Sequence, residues 1–215
     1  MPVITIARQF GAGGTSVGQM AARQLKADLL DRQLIAEVAR RLELPEEEVE
    51  AQDEQPGTFL NRLLIALGSA SPVPTIPAAG AAWAPPYADP SFDPCRAVLE
   101  VTQQVIKEAA RGGNVVIIGR GGAYILRDLE GALHVFLRAA EGTRLKTLME
   151  RFGLAEDEAR RRMKQTDANR TAYIRQVYGH HWTHPSHYDL VLDTGRLGYD
   201  VAASVILAAL PGRSR

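Results

Sequence analysis

Residues 3–16 read VITIARQFGAGGTS, and this stretch decides the fold of the chain. Its first five residues are apolar or β-branched on both faces, which is typical of a buried parallel strand. A glycine-rich run follows, and then apolar residues recur at helical spacing, with Thr15 or Ser16 available as the N-cap. Those apolar positions are Val17, Met20, Ala21 and Leu25. The stretch therefore predicts a strand, a glycine-rich turn and a helix.

The glycine-rich turn is a candidate phosphate site. Backbone N–H groups of such a turn can surround a phosphate, and the N-terminus of the following helix adds positive potential. A purely structural turn is the alternative. The residues that we expect to bind phosphate are Gly11, Ala12, Gly13, Gly14, Thr15 and Ser16.

The turn lacks the lysine of the usual phosphate-loop motif, G-x-x-x-x-G-K-[ST]. When Gly13-Gly14-Thr15 is placed on the last three motif positions, Arg8 stands where the first glycine belongs and Gly14 where the lysine belongs. A guanidinium can contact two phosphate oxygens at once. We therefore expect Arg8 to fold back over the phosphates and supply the missing charge. An arginine ion-paired at the end of its strand is the alternative.

Short apolar runs alternate with helical patterns along the rest of the chain. The runs predict strands at 29–30, 115–118, 133–137 and 189–193, and the helical patterns lie at 34–42, 96–111, 141–151, 155–178 and 199–210. Strands that alternate with helices indicate a parallel α/β sheet with helices on both faces. Ligands of such sheets bind beyond the carboxyl ends of the strands. Because Gly119-Arg120-Gly121-Gly122 and Arg138 also stand at strand exits, the pattern favours an anionic ligand.

Composition excludes several classes of protein. The 215 residues are 46% hydrophobic and carry 25 Lys and Arg against 25 Asp and Glu, so a disordered chain and a nonspecific binder of nucleic-acid polymers are not expected. Cys95 is the single cysteine, which excludes an intrachain disulfide and a cysteine-based zinc site. No run is apolar enough for a membrane span. We expect a cytoplasmic protein of one domain, residues 1–215, with a flexible proline-rich loop at 69–94.

Several segments together resemble the bacterial cytidylate kinase-like family, a branch of the phosphate-loop nucleoside monophosphate kinases. They are residues 4–14, Asp31-Arg32-Gln33-Leu34-Ile35, 119–122, 167–174, 178–179 and 182–190. The resemblance implies a P-loop NTPase-type three-layer α/β/α fold with a five-stranded parallel sheet. It also implies an acceptor-binding insertion at about 31–95 and a small helical lid at about 144–175. The implied reaction transfers the γ-phosphoryl group of ATP to CMP or dCMP with Mg²⁺.

The resemblance also implies roles for individual residues. Arg120, Asp31, Asp167 and Arg170 would hold the acceptor nucleotide, while Thr15 and Ser16 are the hydroxyl candidates for Mg²⁺. Simpler alternatives remain open: helix capping for Asp31, Thr15 and Ser16, a surface ion pair for Arg120, and an intrahelical ion pair for Asp167 with Arg170, which stand at i and i+3.

The lid segment has a local excess of positive charge. Residues 144–175 carry nine Lys and Arg against five acids, as expected of a lid that closes over a polyanion. The candidate lid arginines are Arg144, Arg151, Arg162 and Arg170. Four of the five histidines cluster at His180–His187, where we expect a structural loop rather than a metal site, and Trp182 and Tyr188 are expected to pack in the interior.

Two other functions stay open on the sequence. A phosphate-loop kinase for a different small acceptor is one, because the segment between Asp31 and Cys95 is the least familiar part of the chain. A nucleotide-binding regulator with little turnover is the other, because the loop lacks its lysine. The acceptor-side residues Arg120, Asp167 and Arg170 favour a kinase, since a regulator needs only the loop.

Overall fold

The structure, a computed structural model, describes residues 1–42 and 94–210. Its five strands form one parallel sheet in the order β2-β3-β1-β4-β5. The strands are β1 (Val3–Arg8), β2 (Asp28–Leu30), β3 (Val115–Ile118), β4 (Ala132–Arg138) and β5 (Leu190–Asp193). The described helices are α1 (Gly14–Leu25), α2 (Arg32–Leu42), α3 (Pro94–Gly112), α4 (Gly122–Ile125), α5 (Glu141–Phe152), α6 (Glu156–Tyr178), α7 (Thr194–Leu197) and α8 (Tyr199–Ala208), with a 3₁₀ turn at Pro185–His187.

The sheet has β1 at its centre. Ile4 and Ile6 of this strand are fully buried, and β1 pairs with β3 on one side and with β4 on the other. Side chains of a strand covered on both faces meet only protein, which explains the continuous apolar run at its start. The strands agree with the prediction to within a residue or two.

Helices cover both faces of the sheet. On one face α1 and α8 pack together over β1 and β4, and Val17, Ala21 and Ile206 are at most 1% exposed there. On the other face α2 and α3 pack against β3, and Arg41 of α2 donates to Glu108 of α3 at 2.7 Å. The predicted three-layer α/β/α architecture with a five-stranded parallel sheet is confirmed.

Helices α5 and α6 form a hairpin beside the phosphate loop, where the sequence predicts the lid. Leu148 and Met163 face each other inside the hairpin and are at most 2% exposed. Most of the predicted acceptor-binding insertion, and of the proline-rich segment 69–94 within it, lies outside the described residues. In the part of the chain that the structure describes, no helix is long and apolar enough to cross a membrane.

The predicted side-chain cap of α1 is wrong. The helix begins at Gly14, and the residue before it, Gly13, is in the left-handed region at φ 75° and provides no side-chain cap. Thr15 and Ser16 therefore lie in the first turn of the helix. A hydroxyl there cannot accept from its own helix as an N-cap does.

A histidine buried between two strands makes stability depend on pH. The Nδ1 atom of His134 on β4 lies 2.8 Å from Thr5 Oγ1 on β1, and burial lowers the pKa of His134 below its usual 6.5, although the charge of Asp189 opposes the shift. On acidification the unfolded chain takes up this proton first. A state that binds more protons gains free energy as pH falls, so the folded state loses stability below about pH 6.5.

We expect the melting temperature to fall between pH 7.5 and pH 5.5, and we expect His134→Gln to reduce that difference. Thermal unfolding followed by circular dichroism at the two pH values measures it. The control is His181→Gln, which removes an exposed histidine and keeps the wild-type difference. An equal pH difference in wild type and His134→Gln would contradict the account.

Candidate functional site

A cleft of about 1050 Å³ opens at the carboxyl edge of the sheet. Its walls come from the loop after β1, the exits of β2 and β3, and the α5–α6 hairpin. The predicted site residues that line it are Arg8, Gly11, Gly13, Gly14, Thr15, Ser16, Asp31, Arg120, Arg151, Arg162 and Arg170. Most of the predicted site residues therefore meet in one cleft. Ala12, Arg144 and Asp167 are not on its surface, and Arg138 pairs with Asp193 at 3.7 Å instead of facing it.

The loop after β1 has the geometry of an anion-binding turn. Gly11 and Gly13 have φ values of 84° and 75°, a region that disfavours side chains. The N–H groups at the start of α1 have no partner within the helix, because the first turn of any helix leaves them unpaired. Ala12 is buried, and its carbonyl lies 2.9 Å from Thr194 Oγ1. Gly14, Thr15 and Ser16, whose N–H groups have no partner within the helix, line the cleft.

Thr15 and Asp31 bring two side-chain oxygens together in the wall of the cleft. The hydroxyl of Thr15 donates to Asp31 Oδ2 at 3.3 Å, and Asp31 immediately precedes α2. Mg²⁺ is usually held by one or two protein oxygens together with phosphate oxygens and waters, and these two groups fit that chemistry. Within residues 1–42 and 94–210, no three His, Cys, Asp or Glu residues lie close enough to form a metal site of their own.

Arg120 is held in a strained and buried position. It has a φ of 56° between Gly119 and Gly121, which are also left-handed, and only 8% of it is exposed. Burial, followed by the positive charge of Arg8, lowers the pKa of Arg120 to about 9, while Asp31 opposes the shift. An anion in the cleft would stabilise this charge. An arginine in the left-handed region costs free energy, and such strained residues are found mostly at functional sites.

The side chain of Arg8 covers Gly14. A Cβ atom added at Gly14 would lie 2.5 Å from Arg8 Cγ and 3.0 Å from Arg8 Cβ. Real contacts of a Cβ are longer, so the stem of Arg8 fills the space that a side chain at position 14 needs. The arginine in place of the first motif glycine and the glycine in place of the motif lysine are therefore packed against each other.

Three predicted site residues contact the backbone of the phosphate loop. Asp167 Oδ1 accepts from the Phe10 N–H at 2.8 Å, while Asp167 Oδ2 accepts from Arg144 at 2.5 Å. Arg144 also donates to the Phe10 carbonyl at 3.3 Å, and Arg170 donates to the Arg8 carbonyl at 3.0 Å. The intrahelical ion pair of Asp167 with Arg170, the alternative to an acceptor role, is present at 3.9 Å. Their roles toward an acceptor stay predictions.

Sequence reasoning missed two aromatic residues of the site. Phe10 packs among the apolar side chains of the α5–α6 hairpin, and its ring stacks on Phe152 with 6.1 Å between centroids. Arg162, a predicted lid arginine, places its guanidinium carbon 4.8 Å from the centre of the Phe152 ring. An aromatic residue inside a glycine-rich loop is the signal that points to Phe10, because glycine-rich loops have no core of their own.

The loop at 180–187 packs against α4 as a stack of rings. Tyr124 lies between Tyr178 and His180, with centroid distances of 5.3 and 5.5 Å, and His180 lies 4.6 Å from His187. Burial and the neighbouring histidines lower the pKa of His187. Trp182 and Tyr188 are buried around Phe136, so their predicted packing is confirmed.

Comparison with known proteins agrees with this geometry. The profile of the cytidylate kinase-like family matches residues 3–196. The chain belongs to the cytidylate kinase-like family.

Similar proteins include two cytidylate kinases. The cytidylate kinase of Methanopyrus kandleri is 33% identical over 112 residues, which are 48% of this chain and 58% of that protein. The cytidylate kinase of Methanoculleus marisnigri is 28% identical over 122 residues, which are 57% of this chain and 64% of that protein. The chain thus matches less than two thirds of the length of each relative.

Among solved structures, a crystal structure of a protein from Eubacterium ventriosum has the same fold. It superposes with a TM-score of 0.69, covers 99% of this chain and 100% of its own, and is 21% identical in sequence. The superposition therefore supports the fold that we describe for this chain.

Gly121 tests whether the backbone around Arg120 is fixed by packing. A Cβ at Gly121 would lie 2.6 Å from the ring of Tyr178, whereas one at Gly131, which has a similar φ of 79°, would meet nothing within 4 Å. We expect Gly131→Ala to cost about 1 kcal/mol of unfolding free energy from backbone strain alone. Gly121→Ala should cost at least twice as much, because the Tyr178 ring must also move.

Urea denaturation of the two variants beside wild type measures both losses. Equal losses of unfolding free energy in the two variants would show that the Tyr178 ring moves aside at no cost and does not fix the backbone around Arg120.

Proposed function

We propose that this protein is a cytoplasmic nucleoside monophosphate kinase that transfers the γ-phosphoryl group of ATP to CMP or dCMP. The observation that carries the proposal is the meeting of Arg8, Arg120 and Arg170 beside a glycine-rich phosphate loop. Positive charge gathered in one recess suits two substrates that both carry phosphate. The similarity to the cytidylate kinases of Methanopyrus kandleri and Methanoculleus marisnigri supports cytidylate as the acceptor.

Phosphoryl transfer asks a protein mainly to position two phosphates and to neutralise charge. The N–H groups of the loop and of the first turn of α1 bind the donor phosphates. Arg8 lies over the same turn and contributes charge where the transferred group sits. Arg151 and Arg162 approach from the α5–α6 hairpin and exclude water when the hairpin closes on the donor.

Thr15, with Ser16 beside it, would hold Mg²⁺ at the base of the cleft, and Asp31 accepts from the same Thr15 hydroxyl. When bound, the ion would neutralise part of the charge of the phosphates. On the acceptor side, Arg120 is the buried cation nearest the exit of β3, and it would bind the phosphate of the nucleoside monophosphate. Asp31 lies at the exit of the neighbouring strand β2, and its charge favours the charged form of Arg120.

The acceptor is tested by a coupled assay of ADP release with ATP and Mg²⁺. The panel is CMP, dCMP, UMP, AMP, GMP and dTMP, with a reaction without acceptor as control. We expect turnover with CMP and dCMP, and we expect Arg120→Ala to raise the KM for CMP with little change in the KM for ATP. Turnover with a different acceptor would favour the second kinase hypothesis, and nucleotide binding without turnover would favour a regulator.

Arg8 takes the place of the motif lysine in this proposal. The stem of Arg8 occupies the space that a side chain at position 14 needs. Arg8 is the last residue of β1, stands at the first position of the motif and lines the cleft. Gly14 itself is not in the left-handed region, and the three atoms nearest to a Cβ placed there all belong to the Arg8 side chain. The charge has therefore moved from one end of the loop to the other.

An exchange of the two residues tests this relation. Arg8→Gly alone removes the charge and should lower kcat by about 100-fold, the scale of losing one preorganised donor. Gly14→Lys alone forces the new side chain against the Arg8 stem and should weaken nucleotide binding. The double variant, with Arg8→Gly and Gly14→Lys, restores G-x-x-x-x-G-K-T and should recover at least 10-fold of the lost kcat.

The measurement is kcat and KM for ATP in the three variants and wild type, with folding checked by circular dichroism. Arg23→Gly is a control, since this arginine of α1 is exposed and does not line the cleft. A double variant no more active than Arg8→Gly would show that Arg8 does not do the work of a lysine at position 14.

A further inference from the structure

The α5–α6 hairpin holds the phosphate loop by its backbone. The N–H of Phe10 donates to Asp167 on α6, the carbonyl of Phe10 accepts from Arg144 on α5, and the carbonyl of Arg8 accepts from Arg170 on α6. All three contacts join residues far apart in the chain. The conformation of residues 8–10 therefore depends on side chains of the hairpin as well as on the loop sequence.

Asp167 and Arg144 are the centre of this arrangement. Their side chains are 20% and 11% exposed, and they form a charge-assisted hydrogen bond of 2.5 Å. Hydrogen bonds between charged groups are roughly twice as strong as neutral ones. Asp167 also accepts from the Phe10 N–H, and Arg144 also donates to the Phe10 carbonyl, so the pair fixes both backbone polar groups of one residue. Both side chains face the loop backbone and are absent from the cleft surface.

Packing strengthens the same contact. The backbone of Arg144 lies against Gly11, where an added Cβ would be 2.9 Å from the Arg144 carbonyl oxygen. Phe10 also packs against the apolar cluster of the hairpin, to which Leu148 and Met163 belong. Any movement of the hairpin away from the loop would therefore break hydrogen bonds and expose an aromatic ring together.

We propose that Arg144 and Asp167 are a positioning pair for the phosphate loop. By holding Phe10 on both sides, the pair positions the loop glycines that line the cleft, Gly11, Gly13 and Gly14, and it couples the hairpin to the binding of donor phosphate. This rests on the proposed function only in that the loop binds a nucleotide. It assigns Asp167 a task different from the acceptor contact that the family resemblance implies.

The two roles of Asp167 predict effects on different ligands, the acceptor in one case and the donor nucleotide in the other. A residue that contacts the acceptor changes the KM for CMP and leaves donor affinity unaltered. A positioning residue for the loop changes donor affinity even when no acceptor is present. The probe is MgADP, whose dissociation constant is measured by titration calorimetry without acceptor.

Three variants and one control separate these outcomes. We expect Asp167→Ala and Arg144→Met to raise the dissociation constant of MgADP about 10-fold or more, the scale of losing a hydrogen bond to a charged group. Asp167→Asn keeps an oxygen for the Phe10 N–H and should recover part of the affinity. Asp157→Asn removes an acid from the exposed first turn of α6 and should bind as wild type.

A second measurement needs no ligand. Amide hydrogen exchange of the Phe10 N–H in the free protein should become about 10-fold or more faster in Asp167→Ala and stay slow in Asp157→Asn, because exchange requires the hydrogen bond to open. Unchanged exchange and unchanged MgADP affinity in Asp167→Ala, with a raised KM for CMP, would overturn the proposal in favour of an acceptor contact.

The two measurements also distinguish this inference from the proposed function. If wild type binds no MgADP, the kinase proposal fails, and the exchange rate of Phe10 alone decides whether the pair orders the loop. If wild type binds MgADP but phosphorylates no nucleotide, the pair is still judged by donor affinity.

Discussion

The central position of β1 in the sheet is the constraint on which the rest of this structure depends. Both faces of the strand are buried, and strands on each side take up its backbone hydrogen bonds, so its end is fixed relative to every other strand. The chain leaves that end as a short glycine-rich loop. The site is built around the loop because β3 and β4 deliver their own exits to the same edge.

A loop rich in glycine has little preference for one conformation, and in this protein its shape comes from outside. Ala139 donates its N–H to the Gln9 side chain at 3.2 Å, Thr194 approaches the Ala12 carbonyl, and Tyr199 packs on Gly13. Elements from the far half of the chain thus surround a turn formed in its first fifteen residues. This arrangement leaves the N–H groups at the start of α1 available for a ligand, while the N–H groups of Gln9, Phe10 and Ala12 bond to protein.

The sequence was a good guide to the elements and a poorer one to the contacts between them. The strand and helix patterns are local, and α/β alternation restricts the order of the sheet, so the fold could be predicted. The gathering of Arg8, Asp31 and Arg120 also followed from their places at strand exits. The partner of Asp167 could not be predicted, because its nearest candidate in the chain is Arg170 and its 2.5 Å contact is Arg144 on another helix. The packing of Arg8 on Gly14 was hidden for a similar reason, since motif matching compares positions one at a time.

The contact between Arg8 and Gly14 restricts how such a loop can change over evolutionary time. A chain with glycine at position 8 and lysine at position 14 differs from this one at two positions, and two single-substitution routes connect them. If Gly14→Lys comes first, the loop holds the lysine and Arg8 in space for one long side chain. If Arg8→Gly comes first, the loop has neither the arginine nor the lysine charge. With the proposed role for Arg8, both intermediates are at a disadvantage, so a fitness valley separates the two forms of the loop, and lineages that hold one form are expected to retain it.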